Sequence, residues 1–425
     1  MNPAQLQTPI LDGGIRSINF FNGRLLTARD LTREQVANRE VDKRLGQAIG
    51  DGIAYGLEVS KSTSPQSTNG SPILTVVPGL AINRRGQTLQ LASEIDIGLV
   101  RQSNGNGGAA HAFNECLPLQ TGTYVAGAGV YLLTVAPAET REGLAATAGL
   151  ETAVASCNTD AIVSALQFRL IQLNPPLTDA ELDDENHLRN LIAYKCFGVA
   201  ETKSFASDPF GPELKRYGLL DALRPNRLTD CDVPLAVLYW TLSGGINFVD
   251  LWSVRRTPTR AGSAGSWPHF IDDRPKHEGE AMFLQFEEHI NSLSRSIGNT
   301  SAVAATDYFQ YLPAVGIIPR ANKLQQGFDH RRFFQDQTYR EPVFMEGARL
   351  EHLIRESVAY APIKLGSGEL IYLYEVRQNM QTIAAGAPKI PQSYLIFSGG
   401  HMPFYGEARF DVNRYDYSNY STVYD

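Results

Sequence analysis

The sequence predicts an α+β, β-rich protein of several domains, built from short antiparallel sheets and a few amphipathic helices. Short apolar runs bounded by Gly, Pro, Asn and Asp recur along the chain, which is the pattern of short strands joined by turns. Helical periodicity is confined to a few segments, and the lack of a repeat of about 20–50 residues excludes solenoids and propellers. A chain of 425 residues exceeds one ordinary core, so we predict three units, over residues 1–108, 109–262 and 263–425.

The first unit is predicted to join an N-terminal helix to a small β unit. A helix is expected over residues 28–49, because Thr27 and Asp30 form a variant of the capping box and a Gly-rich turn follows residue 49. Its thin apolar stripe indicates a helix that lies against another surface; the stripe consists of Leu31, Val41, Leu45 and Ile49. Strands are predicted at residues 53–59, 73–77, 80–82 and 88–91.

The second unit is predicted to mix helix and sheet. Strands at residues 129–135 and 164–173 flank a small-residue region, 143–157, that is predicted to be helical. Thr178 is expected to cap a helix that runs to residue 193. The clearest hairpin signal in the chain is a pair of apolar strands, at 233–240 and 246–252, around Ser243-Gly244-Gly245.

The third unit is predicted to begin with a helix over residues 278–297, followed mainly by strands. The strand-like segments are 308–318, 371–376 and 394–397, with a Phe-rich stretch at 328–334 and a short helix at 347–358. The aromatic ends of the chain are candidate contacts, through strand addition or aromatic anchors, although these side chains could equally fold back on their own core. The candidate interface residues are Phe20, Phe21, Tyr415, Tyr417, Tyr420 and Tyr424.

Composition excludes several classes of protein. A formal charge of -7 and a pI near 5.7 argue against a nucleic-acid binder, which needs a surplus of Lys and Arg. No apolar run is long enough for a membrane span, and residues 1–10 do not resemble a secretory signal, so we expect synthesis and assembly in the cytoplasm. The four cysteines show no ligand spacing and are predicted to be buried reduced thiols.

No pattern in the sequence predicts catalysis, a cofactor or a metal. The best metal-like cluster is read as a solvated helix start, since its spacing is not H-E-x-x-H; it comprises Asp272, Asp273, His277, Glu278, Glu280, Glu288 and His289. Neither a phosphate-binding Gly-rich motif nor G-x-S-x-G is present. Adjacent acids such as Glu287 and Glu288 point to different faces of a helix and do not predict a glycosidase pair.

Several segments resemble a family of mostly uncharacterised bacterial proteins that are encoded beside phage-tail-like contractile injection systems. The similarity is carried by FFNGRLLTARDL at 20–31, GIAYGLEV at 52–59 and VPGLAINRRG at 77–86, and it extends to residues 232–240, 248–256 and 308–316. These are packing and turn motifs, so the resemblance implies a role by association and carries no catalytic residues.

The resemblance and the absence of catalytic motifs together predict a non-enzymatic structural subunit of the baseplate of such a particle. The expected partners are other baseplate or tail subunits, in multiple copies of a symmetric assembly, within a particle that is either membrane-anchored or released. Two alternatives remain open. One is a receptor- or carbohydrate-binding fibre or anchor module of the same particle, which predicts a shallow aromatic groove. The other is a hydrolase, which requires a cleft with convergent acids and a shifted pKa.

Overall fold

The computed structural model confirms an α+β, β-rich fold with short, mainly antiparallel sheets. It describes residues 13–62, 72–99, 129–146, 157–175, 177–199, 218–224, 226–241, 244–259, 274–321, 326–345, 347–358, 360–377 and 393–399. None of the helices in these ranges is long and apolar enough to cross a membrane.

The α-helices of the described residues are α1 (Ala28–Ile49), α2 (Asp179–Asp183), α3 (Glu185–Phe197), α4 (Gly218–Leu223), α5 (Arg274–Ser296), α6 (His330–Phe333) and α7 (Leu350–Ser357). The strands of the first two predicted units are β1 (Gly52–Gly56), β2 (Val59–Lys61), β3 (Ile73–Val76), β4 (Gly79–Ile82), β5 (Thr88–Leu91), β6 (Ile95–Gly98), β7 (Gly129–Ala146), β8 (Cys157–Leu173), β9 (Val233–Thr241) and β10 (Gly245–Asp250). Those of the third are β11 (Tyr311–Leu312), β12 (Val315–Pro319), β13 (Val343–Phe344), β14 (Ile363–Lys364), β15 (Tyr372–Arg377) and β16 (Ser393–Ser398).

Helix α1 has the bounds that the sequence predicts. The side chain of Thr27 accepts from the backbone N–H of Asp30, and the Asp30 carboxylate accepts from the backbone N–H of Thr27, which completes the capping box. Gly50 ends the helix with a φ of 106°, in the region that favours glycine. Local signals at both ends therefore determine where this helix begins and ends.

The small β unit consists of two three-stranded sheets, β1-β4-β5 and β2-β3-β6. The prediction of one strand over residues 53–59 is wrong, because the chain turns between β1 and β2. Gly56 and Leu57 have φ values of 63° and 60°, which bend the backbone and pass it from one sheet to the other. Strand β6 was not predicted, although Ile95 and Ile97 alternate with Asp96 and Gly98, because the run is only four residues long and largely exposed.

The middle sheet has the antiparallel order β10-β9-β7-β8, and the predicted hairpin of β9 and β10 is confirmed. Strands β7 and β8 pair from Val130↔Leu173 to Ala146↔Cys157. The predicted helix over residues 143–157 is therefore wrong at residues 143–146, which continue β7, and at Cys157, which begins β8; residues 147–156 lie outside the described residues. Pairing with the neighbouring strand outweighs the weak local preference of these small residues.

Two helices cover one face of the middle sheet where a single helix was predicted. Asp184 separates α2 from α3, and its carboxylate accepts from the backbone N–H of His187 as the N-cap of α3. Helix α3 is buried on almost every side, because it lies between the middle sheet and α5. Asn190 on α3 also accepts from the backbone N–H groups of Gln310 and Tyr311, which fixes the third unit against this helix.

The third unit packs α5 against the sheet β12-β16-β15-β13, in which β13 is parallel to β15. The segment predicted as strand-like at 308–318 contains β11 and β12, separated at residues 313–314. Aromatic rings fill the core between the helix and the sheet, namely Phe286, Phe309, Phe328, Phe333, Phe334 and Phe397. The Phe-rich stretch is thus core, with Asp329 capping the short helix α6.

The apolar core of the small β unit is continuous with that of the middle sheet. Leu57, Leu74 and Leu89 belong to the same buried cluster as Leu133 and Leu235. The boundaries at residues 108 and 262 stay a prediction.

The cysteines differ in their state. Cys196 is a buried free thiol, as predicted. Cys231 is disulfide-bonded, so the prediction of a reduced thiol is wrong at that residue. Its partner lies outside the described side chains. The spacing of cysteines in a sequence does not reveal which of them the fold brings together, because bonded pairs need only be close in space.

Candidate interaction surface and polar pocket

The predicted contact residues Phe20 and Phe21 are both exposed. They lie on an extended segment that is fixed to α1: the backbone N–H of Ile18 donates to Glu34 Oε2 over 3.1 Å. The guanidinium of Arg24 lies 6.0 Å from the centroid of the Phe21 ring. The other candidates, Tyr415, Tyr417, Tyr420 and Tyr424, lie outside the described residues.

The apolar stripe of α1 faces solvent. Leu31, Val41, Leu45 and Ile49 are each between 45% and 60% exposed. At about 100° per residue, these four side chains fall within about 80° of one another around the helix. The sequence predicted that this stripe lies against another surface, and within the described residues no such surface covers it. We call these four side chains the α1 stripe.

Helix α1 is attached to the rest of the protein mainly by polar and glycine contacts. Only Ala37 and Gly46 are buried along its length. Gly46 lies so close to Gly86, in the β4–β5 turn, that a Cβ atom on Gly46 would be 2.1 Å from the Gly86 carbonyl oxygen. Arg39 is 3.5 Å from the carboxylate of Glu139. The side of the helix that carries large aliphatic residues therefore contributes little to holding it in place.

The hairpin of β7 and β8 projects beyond the middle sheet. Strand β9 pairs with residues 129–135 of β7 only, whereas β8 accompanies β7 to its end. Beyond Glu139, which contacts Arg39 of α1, residues 140–146 extend for about 23 Å at about 3.3 Å per residue. Ile162 and Val163 are exposed on this end of the hairpin. Among the described strands β8 pairs only with β7, so its outer edge has no strand partner.

A buried ionic network joins α3, β10 and α5. The carboxylate of Asp250, whose residue is 1% exposed, accepts from Arg189 Nε at 2.8 Å, from Gln285 Nε2 at 2.9 Å and from the backbone N–H of Ser253 at 2.9 Å. The Ser253 hydroxyl also donates to this carboxylate. Arg189 Nη2 donates in turn to Glu288 Oε1 over 3.0 Å.

The environment of this network shifts several pKa values. Burial raises the pKa of Asp250, but the charge of Arg189 and the hydrogen bonds that the carboxylate accepts outweigh it and hold the pKa below its usual value. Burial raises the pKa of Glu288 to about 7 in spite of Arg189. Burial, with the charge of Arg189, lowers the pKa of His289 to about 3, so its imidazole is neutral near pH 7.

A pocket of about 620 Å³ opens beside the network. Its walls come from β2, β9, β10, α3, α5 and the segment before β11; they include Lys61, Arg189, Tyr239, His289 and Tyr308. Lys61 Nζ donates to the Asn247 carbonyl over 2.8 Å. His289 is only 5% exposed, and its Nδ1 has no hydrogen-bond partner within the described part of the chain. The pocket is therefore lined by several polar side chains, and one of their buried atoms, His289 Nδ1, is unpartnered within the described residues.

The structure separates the residues of the metal-like cluster. His277 Nδ1 lies 2.8 Å from Thr257 Oγ1 and 3.8 Å from Glu280, whereas Glu278 is buried. Asp272 and Asp273 lie outside the described residues. Over the ranges that the structure describes, no three His, Cys, Asp or Glu side chains are grouped so that they could hold a metal ion. The remaining two members, Glu288 and His289, belong to the ionic network and the pocket.

Sequence reasoning missed the ionic network, although the residues carry a signal. Arg189 lies in a helix that is otherwise rich in apolar residues, and Asp250 ends an apolar strand. Charged side chains are rarely buried unless they are paired. Two opposite charges within apolar segments therefore indicate a buried pair. Glu287 was noted only as a neighbour of Glu288, yet burial raises its pKa to about 7 as well.

No protein-family model matches the chain, and no curated protein sequence matches it.

Proposed function

We propose that the protein is a structural subunit that acts through protein–protein contacts. The observation that carries this proposal is the exposure of the α1 stripe along a well-capped helix of 22 residues. Helices in proteins are stabilised mainly by packing of an apolar face, and contiguous exposed apolar patches are typical of interaction sites. A partner that covers the α1 stripe supplies the packing that the rest of the protein does not.

The occupant of the α1 stripe that we propose is an amphipathic helix of a neighbouring subunit. Aliphatic side chains spaced along one side of a straight helix fit the ridges and grooves of a second helix at an interaxial distance of about 8–10 Å. Leu45 and Ile49, one turn apart, would form the centre of this contact. Phe20 and Phe21, both exposed on the segment that precedes α1, are further candidates for contact with the same neighbour.

The projecting hairpin supports the same class of function. An unpaired strand edge is a template for strand addition by a neighbour, and the end of this hairpin, about 23 Å long, continues beyond the residues of β7 that pair with β9. The arm and the α1 stripe thus offer two different contacts, as a subunit with more than one neighbour requires. Heterologous contacts of this kind generate rings when the rotation between copies closes.

Within this class we propose the baseplate of a phage-tail-like contractile injection system as the assembly. Support comes from the resemblance of residues 20–31, 52–59 and 77–86 to proteins encoded beside such systems. The first of these segments contains the start of α1 and the exposed Phe20 and Phe21, and the third contains the turn on which α1 rests. The residues that carry the resemblance thus include part of the proposed contact and the turn against which α1 packs.

The test is purification of the tagged protein from its native host, with mass spectrometry and electron microscopy of what accompanies it. We expect sheath, tube and baseplate proteins with the wild type. A variant with Leu31→Glu, Leu45→Glu and Ile49→Glu should lose them. The control, Arg29→Glu with Arg33→Gln, changes the charge of α1 by the same amount away from the stripe and should retain them.

Circular dichroism would establish that both variants keep the helix. Wild-type protein that elutes alone would contradict the proposal, and so would a stripe variant that still carries the particle proteins. Loss of the particle proteins from both variants alike would also count against the α1 stripe as the contact.

A further inference from the structure

The pocket beside the ionic network has the size and position of a small-molecule site. Its volume of about 620 Å³ lies within the range of ligand pockets, about 300–1,000 Å³. It lies where the middle sheet, α3 and α5 meet, and such junctions between packed units are common places for ligands. The network on Asp250 fixes α3 and α5 in their positions, so the walls of the pocket are held rigidly.

Two cationic side chains, those of Lys61 and Arg189, line the pocket. Burial, together with the nearby charge of Arg189, lowers the pKa of Lys61 from its usual value. Lys61 donates to a backbone carbonyl and has no carboxylate partner within the described part of the chain. Arg189 directs its Nε to Asp250 and one Nη to Glu288. An anionic group beside Lys61 would relieve the repulsion between these two cations.

The other walls suit hydroxyl groups. Ser292 and Ser296 lie one turn apart on α5, and the hydroxyl of Ser296 donates to the Leu293 carbonyl, so its oxygen remains an acceptor. Glu185 lines the pocket on the α3 side, and a carboxylate there accepts from hydroxyl groups. The half-buried Tyr239 and Tyr308 add rings whose faces can pack against the C–H groups of a sugar.

His289 also lines the pocket, and one of its ring nitrogens is unpaired within the described part of the chain. Its ring packs on Phe309 at a centroid distance of 4.7 Å, and its Nδ1 is buried without a hydrogen-bond partner. A neutral imidazole has one nitrogen that donates and one that accepts, so it can bond a hydroxyl without adding a third positive charge. Buried polar atoms of this kind normally find a partner, and a bound ligand or water would be that partner.

We propose that this pocket binds an acidic monosaccharide, with the carboxylate of the sugar next to Lys61 and its hydroxyl groups towards Glu185, Ser292 and His289. The proposal is independent of the assembly role, since none of these residues belongs to the α1 stripe. A subunit with this pocket would recognise acidic glycans whether or not it belongs to a baseplate.

The test is titration of the full chain with glucuronate, galacturonate and N-acetylneuraminate by isothermal calorimetry and saturation-transfer NMR. Glucose and acetate serve as probes that lack the charge and the hydroxyl groups respectively. We expect at least one acidic sugar to bind, with glucose and acetate weaker by about tenfold or more, the size of one lost charge-assisted hydrogen bond. Lys61→Gln should weaken the binding of the acidic sugar by a similar factor.

The matched control is Lys276→Gln, which removes a lysine from α5 outside the pocket and should leave the affinity unchanged. The proposal is overturned if the wild type binds none of the three acidic sugars, or if acetate binds as tightly as they do. Equal affinities of the Lys61 and Lys276 variants for the sugar would also overturn it. None of these outcomes bears on the purification experiment, so the two proposals fail separately.

Discussion

Removal of the buried carboxylate by Asp250→Ala should destabilise the protein strongly. The change leaves the guanidinium of Arg189, itself largely buried, with Glu288 as its remaining acidic partner among the described residues, and it removes the acceptor of Gln285 and Ser253. Breaking a buried ion pair from one side costs about 3–5 kcal/mol of unfolding free energy. Since 1 kcal/mol corresponds to about 2–4 °C for domains of 150–250 residues, the melting temperature should fall by roughly 6–20 °C.

A double-mutant cycle shows whether the loss comes from the pair. Arg189→Met alone should also be costly, whereas Asp250→Ala in the Arg189→Met background should cost less than in the wild type, by about 2 kcal/mol. The control is Glu351→Ala, which breaks the exposed 2.8 Å pair with Arg355 and should cost about 0.5 kcal/mol or less. Urea unfolding followed by circular dichroism measures all four variants. Additive costs, or an Asp250 variant as stable as the Glu351 variant, would refute the reasoning.

Further predictions concern the attachment of α1 and the response to pH. Gly46→Ala should loosen the attachment of α1 despite the better helix propensity of alanine, because the new Cβ would lie 2.1 Å from the Gly86 carbonyl oxygen. The control is Gly98→Ala, where a Cβ meets nothing within 4 Å and α1 should stay attached. Limited proteolysis distinguishes the two variants. Since burial raises the pKa of Glu288 to about 7, the folded state holds this proton more tightly and its contribution to stability falls as the pH rises from about 4.5 to 7. Urea unfolding of Glu288→Gln should therefore show a smaller loss over that range than the wild type, and an unchanged pH profile would contradict the shift. The pKa of His289 is lowered to about 3, so the contribution of its neutral imidazole to the free energy of unfolding is lost as the pH falls from about 6.5 to 3. His289→Gln should therefore reduce the loss of stability over that range.

Features set by neighbouring residues were predictable from the sequence, whereas features set by distant contacts were not. The bounds of α1 follow from Thr27 and Asp30 at one end and a glycine turn at the other, and the β9–β10 hairpin follows from its short turn. The continuation of β7 through residues 143–146 depends on its pairing with β8, which no local pattern encodes. Likewise the bend at Leu57, with a φ of 60°, is unexpected for a leucine.

The candidate surface and pocket likewise include parts that the sequence predicts and parts that it does not. The exposed Phe20 and Phe21 and the thin α1 stripe could be recognised as contact candidates, because aromatic and apolar residues without a packing pattern are visible in the sequence. The ionic network could not be assembled from the sequence, since Arg189 and Asp250 are 61 residues apart and meet only through the packing of α3 on β10. The pocket depends on that same packing.

While many copies of the protein are being synthesised, the projecting hairpins of different copies can meet one another. An open strand edge invites pairing between copies, and proteins prevent this with charged residues on the edge. Arg141 and Glu142 on β7 and Asp160 on β8 place exposed charges of both signs at the end of the arm. Like charges that lie opposite each other across two strands are destabilising, so these exposed charged side chains disfavour uncontrolled pairing between copies of the arm.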